Sequence, residues 1–129
     1  MEKETLLKVE NLVVHYETHN EVVEAVNNVS FEILSGQTLG LVGETGAGKT
    51  TIALAIMRLL PKTTGKVIQG SIYFDGKDIQ ALSTREMRAI RGHDISMIFQ
   101  DPMSSLNPVL PIDEQIAELI RLHRHVSRA

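Results

Sequence analysis

Eight consecutive residues carry the clearest chemistry in this chain: Gly43, Glu44, Thr45, Gly46, Ala47, Gly48, Lys49 and Thr50 fill the pattern GxxxxGK[ST] at every position. Glycines at the first, fourth and sixth places let a backbone wrap tightly with its N–H groups turned inward. A helix starting directly after the loop adds positive potential at its N-terminus. One ammonium and one hydroxyl complete the set, and the ligand this geometry suits is phosphate. In such a cradle Lys49 reaches the β- and γ-phosphates of a nucleoside triphosphate and neutralises charge in ground and transition states. The Thr50 hydroxyl coordinates the Mg²⁺ that bridges them, and Thr51 can add a hydrogen bond nearby.

A loop of this kind needs a strand to deliver it and a helix to begin where it ends. Residues 38–42 form a short apolar run ending directly at Gly43 and are expected to be a buried strand. Residues 50–60 are apolar almost all round and stop at Pro61, which predicts a buried helix. Upstream, residues 6–16 and 22–33 partly alternate between apolar and polar, as antiparallel strands with one wet face do, and Ser35 with Gly36 marks a turn. Downstream, residues 65–70 read as a loop, 71–74 as a short strand and Asp75-Gly76 as a turn. Ser83 and Glu86 then have capping-box spacing for a helix ending near Arg91. Residues 95–99 are a second apolar strand candidate that would deliver Gln100, Asp101 and Pro102 at its C-terminal end, where α/β proteins place ligand-binding groups. After a polar stretch at 103–111, Ile112, Ile116, Leu119, Ile120 and His123 share one face of a last helix. The order is thus β layer, strand, phosphate loop, helix, strand, helix, with no internal repeat.

Composition bounds the function. A chain of 129 residues suffices for one domain with a hydrophobic core, and 43% hydrophobic with 22% charged residues is ordinary for a globular protein. The formal charge of -3 offers no global positive field for nucleic acid, so no nucleic-acid partner is expected. The absence of cysteine excludes disulfides and thiolate metal sites and fits a reducing compartment. The N-terminus is charged, without the apolar stretch of an export signal. The most apolar segment, residues 52–60, is far short of the roughly 20 residues that span a bilayer, so membrane contact is expected through a partner. The histidines do not have metal-ligand spacing: His15, His19 and His93 are isolated, and His123 and His125 are two apart.

Beyond the loop, the sequence resembles the ABC ATPases, and more closely the ATP-binding subunits of dipeptide, oligopeptide and nickel importers, over nearly its whole length. The resemblance is carried by Leu7-Lys8-Val9-Glu10-Asn11-Leu12, by residues 39–51 around the loop, and by Phe99-Gln100-Asp101-Pro102-Met103-Ser104-Ser105-Leu106-Asn107-Pro108. It implies an α/β P-loop NTPase fold: an ABC-type core with an N-terminal antiparallel β layer (1–36), the P-loop core up to the Q-loop (37–102) and the start of a helical subdomain (103–129), incomplete at the C-terminal end. It implies ATP and Mg²⁺ as cofactors. Tyr16 looks like the aromatic residue that stacks on adenine, a contact that gives affinity with little selectivity. Gln100 resembles the Q-loop glutamine, which approaches Mg²⁺ and the attacking water; with Lys49 it is the candidate catalytic pair, and with Thr50 the candidate Mg²⁺ contact. The implied partners are a second nucleotide-binding subunit, transmembrane permease subunits and, indirectly, a solute-binding protein, which would place the chain on the cytoplasmic face of the membrane.

The LSGGQ-like signature, the Asp-Glu pair after a further apolar strand and the switch histidine of that family do not occur in these 129 residues. Leu82-Ser83-Thr84-Arg85 begins like a signature without its glycines, and no glutamate follows Gln100-Asp101 to serve as base. The expectation is therefore a chain that binds nucleotide without competent hydrolysis, and one left with open sheet edges where later strands would lie, marginal when isolated. Three other readings stay open at this stage. One is a small P-loop kinase or GTPase using Asp101 for Mg²⁺, although no NKxD motif is present. Another is a non-catalytic nucleotide-binding or interaction module. A third is a soluble ABC protein acting on DNA or ribosomes.

Overall fold

Partial alternation in the first 34 residues has a structural cause in the computed structural model, which describes residues 4–44, 48–99 and 108–124. Strands β1 (Thr5–Glu17) and β2 (Val22–Leu34) form an antiparallel pair joined by a turn in which Thr18 N donates to Glu21 O at 2.9 Å. The buried residues of β1 are Leu7 and Val9, then Leu12 and Val14, so the inward set changes parity midway. Asn11, with φ 49°, sits at the change, and the pairing of β1 shifts register there on both sides. One residue too many for a regular ladder is a β-bulge, and it keeps both halves of the strand facing the same core. Ser30 Oγ accepts from the Asn11 N–H at 2.8 Å, which satisfies the donor that the bulge turns out of the ladder.

β3 (Gly65–Phe74) lies on the other side of β1, and the two-residue β4 (Lys77–Asp78) completes a sheet of order β2-β1-β3-β4, antiparallel throughout. The turn at Asp75-Gly76 forms as expected, with φ 50° and 78° at its two central residues, the paired positive values of a type I′ hairpin. Residues 65–70, expected as loop, are instead the first half of β3. Gly70, at φ 101°, lies opposite the bulge, where a Cβ would come within 2.6 Å of the Asn11 and Glu10 carbonyl oxygens and of Leu12 Cα. Its glycine marks a close approach inside a sheet, not a chain leaving one.

α1 (Lys49–Met57) buries Thr51, Ile52, Ala55 and Met57. It ends before the expected Leu60, because Arg58 takes a left-handed conformation (φ 54°) and Leu59 N donates to Leu54 O while Arg58 N donates to Ala55 O, a Schellman closure built without glycine. The Arg58 guanidinium donates to the carbonyls of Ile79 (3.2 Å) and Leu82 (2.5 Å), fixing the 3-10 turn Ile79–Ala81 that follows β4. With Val26, Ile72 and Ile79, the apolar residues of β1 and α1 form the core of the first compact unit, Met1–Leu82.

The buried strand expected at 38–42 is not formed. No described residue pairs with this segment, and Leu39, Leu41 and Val42 are exposed. A strand exists only through its neighbours' hydrogen bonds, so apolarity without a partner does not make one.

The second unit is Ser83–Ala129. Its α2 (Thr84–Ile90) opens with the capping box read from sequence: Ser83 Oγ accepts from Glu86 N at 3.1 Å, and the Glu86 carboxylate accepts from Ser83 N at 3.2 Å. Residues 95–99, expected as a strand, are not one. Gly92 N and Ile95 O close a turn at 2.7 Å, a single bridge joins Arg91 and Ile95, and Ile98 and Phe99 are exposed. α3 (Ile112–Arg124) forms as its periodicity predicts, with Ile112, Ile116 and Ile120 exposed on one face and Arg121 paired with Glu114 at 3.3 Å.

Candidate functional site

The three α-helices among the described residues begin differently. α2 is capped by a serine side chain and carries Glu86 in its first turn, and α3 begins with Asp113 and Glu114. α1 has Gly48 at its N-cap, no side-chain cap and no acidic residue in its first turn. The N-cap residue therefore offers no side-chain acceptor to the first N–H groups of α1, and the positive end of its dipole is not offset by a carboxylate of its own first turn. It is also the helix that follows the Gly-rich loop, the arrangement an anion-binding loop requires.

Gly48 is needed there twice over. Its φ of 91° is one that L side chains rarely adopt, and a Cβ would lie 2.4 Å from Ala25 O and 3.4 Å from Val26 Cγ2. β2 is thus the wall against which the loop enters the helix. Ala25 and Val26 are functional neighbours that nothing in their own local pattern signals; only the meeting of β2 with Gly48 reveals them. Lys49, the first residue of α1, turns its ammonium back to donate to the Gly43 carbonyl at the start of the loop. Gly43 and Glu44 are exposed, as is Thr50, while Thr51 is buried at 8% exposure.

Tyr16, far from the loop in sequence, reaches it in space. Its hydroxyl and that of Thr51 share a hydrogen bond of 3.0 Å. The Tyr16 main chain lies in the interior strand β1, opposite Val23 of β2 and Gly65 of β3. The structure therefore brings together Tyr16, Gly43, Gly48, Lys49, Thr50 and Thr51. Thr45, Gly46, Ala47 and Gln100 lie outside the described residues, as do Asp101 and the rest of the string up to Asn107.

Among the described residues no group of three His, Cys, Asp or Glu side chains could hold a metal ion, and no helix is long and apolar enough to cross a membrane. His15 lies 3.7 Å from Glu24, and His93 lies 3.0 Å from Asp94. A Mg²⁺ ion at this loop would draw on the Thr50 hydroxyl and on ligand phosphates, the way this hard cation is usually held, and the exposed Thr50 fits that role. Away from the loop, the Glu10 carboxylate, 2.8 Å from Lys8, holds that exposed ammonium above its ordinary pKa.

Residues 26–128 match the family described as ABC transporter. The chain is 47% identical over 125 residues to the dipeptide transport ATP-binding protein DppD of Bacillus subtilis, covering 97% of this chain and 37% of that protein. It is 49% identical over 119 residues to the oligopeptide transport ATP-binding protein OppD of Haemophilus influenzae, covering 92% of this chain and 36% of that one. Among solved structures, a dimeric bacterial ABC transporter cassette superposes with a TM-score of 0.81 at 25% identity, over 96% of this chain and 50% of the other. The chain thus spans little more than a third of the length of the curated relatives named here.

Proposed function

This chain belongs to the ABC transporter family, and from that premise we propose that it is the front part of an ATP-binding subunit that energises import of di- or oligopeptides, or of a related small solute such as nickel. The observation that carries the nucleotide reading is the start of α1: an uncapped helix end, entered through Gly48 packed on β2, with Lys49 turned onto the loop and Thr50 exposed beside it. The Lys49 ammonium and the N–H groups at the start of the helix are positive or donor groups, which suits the phosphates of MgATP.

In this reading Lys49 neutralises phosphate charge, Thr50 orients Mg²⁺, and Tyr16 offers its ring to adenine from a strand held on both sides. By the sequence pattern Thr45, Gly46 and Ala47 belong to the same phosphate motif, and by resemblance Gln100 is assigned to Mg²⁺ and water. Bound MgATP supplies a phosphoanhydride whose cleavage powers transport. The proposed partners are a second nucleotide-binding subunit and transmembrane permease subunits, which would hold the chain at the inner face of the membrane; a solute-binding protein acts through them. Names of the relatives support the peptide class of cargo, and the dimeric cassette supports pairing of two such subunits.

Calorimetric titration of the 129-residue chain with MgATP tests the site. Saturable binding is expected, and Lys49→Ala should weaken it by about 100-fold, the cost of removing a charge-assisted contact to a multiply charged ligand. Equal binding by a folded Lys49→Ala variant would remove the site assignment. The transport assignment is tested separately, in a protein carrying this chain within the full length of its relatives. Turnover there should rise with transmembrane partner subunits in the assay and not with nucleic acid; the reverse result would reject the importer reading.

A further inference from the structure

We propose that Tyr16 is a positioning residue for the phosphate half of the site, acting through its hydroxyl on Thr51, in addition to any contact its ring makes with a base. The proposal rests on the nucleotide reading above and deepens it.

The geometry has three parts. Tyr16 is carried by the interior strand β1, its main chain opposite Val23 on one side and Gly65 on the other, so the ring projects from a stiff support. Its hydroxyl meets Thr51 Oγ1 at 3.0 Å across 35 residues of sequence. Thr51 is buried whereas the preceding Thr50 is exposed. Neighbouring residues on a helix point about 100° apart, so the two adjacent hydroxyls serve different partners: Thr50 faces outward beside the loop, and Thr51 is turned to the sheet.

Gly48 contributes no side chain to cap α1, and among the described residues its start is held by the close approach of Gly48 to Ala25 and Val26. The Tyr16–Thr51 bond adds a directional tether within the first turn of the helix. A hydrogen bond constrains angle as well as distance, which van der Waals contact with a strand does not. Where the first turn of α1 points, the Lys49 and Thr50 side chains and the first N–H groups follow. Tyr16 therefore influences ligand phosphates that its ring never touches.

A ligand with phosphates and no base isolates this effect. Magnesium tripolyphosphate, read by its displacement of MgATP, is compared on the parent chain, Tyr16→Phe, Thr51→Val and the double variant. Tyr16→Phe keeps the ring and removes only the hydroxyl. It should weaken tripolyphosphate about five-fold, the scale of one hydrogen bond. MgATP should weaken by the same factor, so that the preference for ATP over tripolyphosphate is retained. The double variant should bind no more weakly than Thr51→Val alone, because both changes break one bond. Thr51→Ser, which keeps the hydroxyl, should recover most of the loss.

Tripolyphosphate affinity in Tyr16→Phe equal to that of the parent overturns the proposal. So do losses that multiply in the double variant, and so does a failure of tripolyphosphate to displace MgATP at all. Lys49→Ala separates the two levels of inference. If it binds MgATP as the parent does, the nucleotide reading itself has failed; if it loses binding while Tyr16→Phe does not, only the positioning role has.

Discussion

Gly70→Ala is expected to destabilise the first unit by about 4 kcal/mol, combining backbone strain with overpacking. The position has no room on either count. Its φ is 101°, and an added Cβ would stand 2.6 Å from two main-chain oxygens and from Leu12 Cα, atoms of a strand paired on both edges. Main chain cannot rotate aside as a flexible side chain can, so either the Asn11 bulge or the β1–β3 ladder must open. A typical domain has only 5–15 kcal/mol to lose, so much of the population should be unfolded under mild denaturant. Gly76→Ala provides the comparison: its φ is 78° but nothing lies within 4 Å of the added carbon, and about 1 kcal/mol is expected. Urea unfolding of both variants gives the result. Equal and small losses would mean that β1 and β3 separate easily at the bulge.

Gly48→Ala should damage stability and binding together. The new methyl would meet Ala25 O at 2.4 Å in a backbone conformation that already disfavours it, at a cost of about 3 kcal/mol. Relief requires α1 to move away from β2, which displaces Lys49, Thr50 and the first N–H groups of the helix. MgATP affinity measured where the variant is still folded should fall more than 10-fold, since misplacement by even about 1 Å is costly to an oriented site. The contrast with Lys49→Ala is informative. The lysine variant should lose affinity at nearly unchanged urea midpoint, the glycine variant should lose both, and a Gly48→Ala chain with parental midpoint and affinity would show that β2 is not the wall of the loop.

Local sequence rules were most legible where a feature needs only its neighbours in the chain. Ser83 with Glu86, Asp75 with Gly76, and the apolar spacing of α3 each specify their own structure, and each formed as read. The P-loop pattern was legible for the same reason, because its chemistry is contiguous. Features set by distant strands were not. Gly65 and Gly70 look like loop residues, yet Gly70 is what allows β3 to lie against the Asn11 bulge. Residues 38–42 have strand composition without a described strand partner, and 95–99 gain only the local bridge of Ile95 to Arg91, so neither became a strand. Arg58 closes α1 where sequence rules look for glycine or proline, because its guanidinium gains two carbonyls of the 79–82 segment. Family resemblance singles out Tyr16 as a candidate for stacking on a base, but its bond to Thr51 spans 35 residues that no local pattern connects.

The ends of the segment that carries the site lie far apart along the sheet. β2 finishes at Leu34 opposite Thr5, and β3 begins at Gly65 opposite Tyr16, so the chain leaves the sheet at one end of β1 and returns near the other. In the time course of folding, the β1–β2 hairpin needs only its short turn, whereas β3 must close a much longer loop before its pairing is rewarded. The phosphate loop and α1 lie wholly inside that longer loop. Yet the contacts that place α1, Gly48 against Ala25 and Thr51 with Tyr16, are both made to the β1–β2 hairpin, so the first closure already offers the surface on which the helix docks, and a ligand held at the start of α1 would favour that docked arrangement.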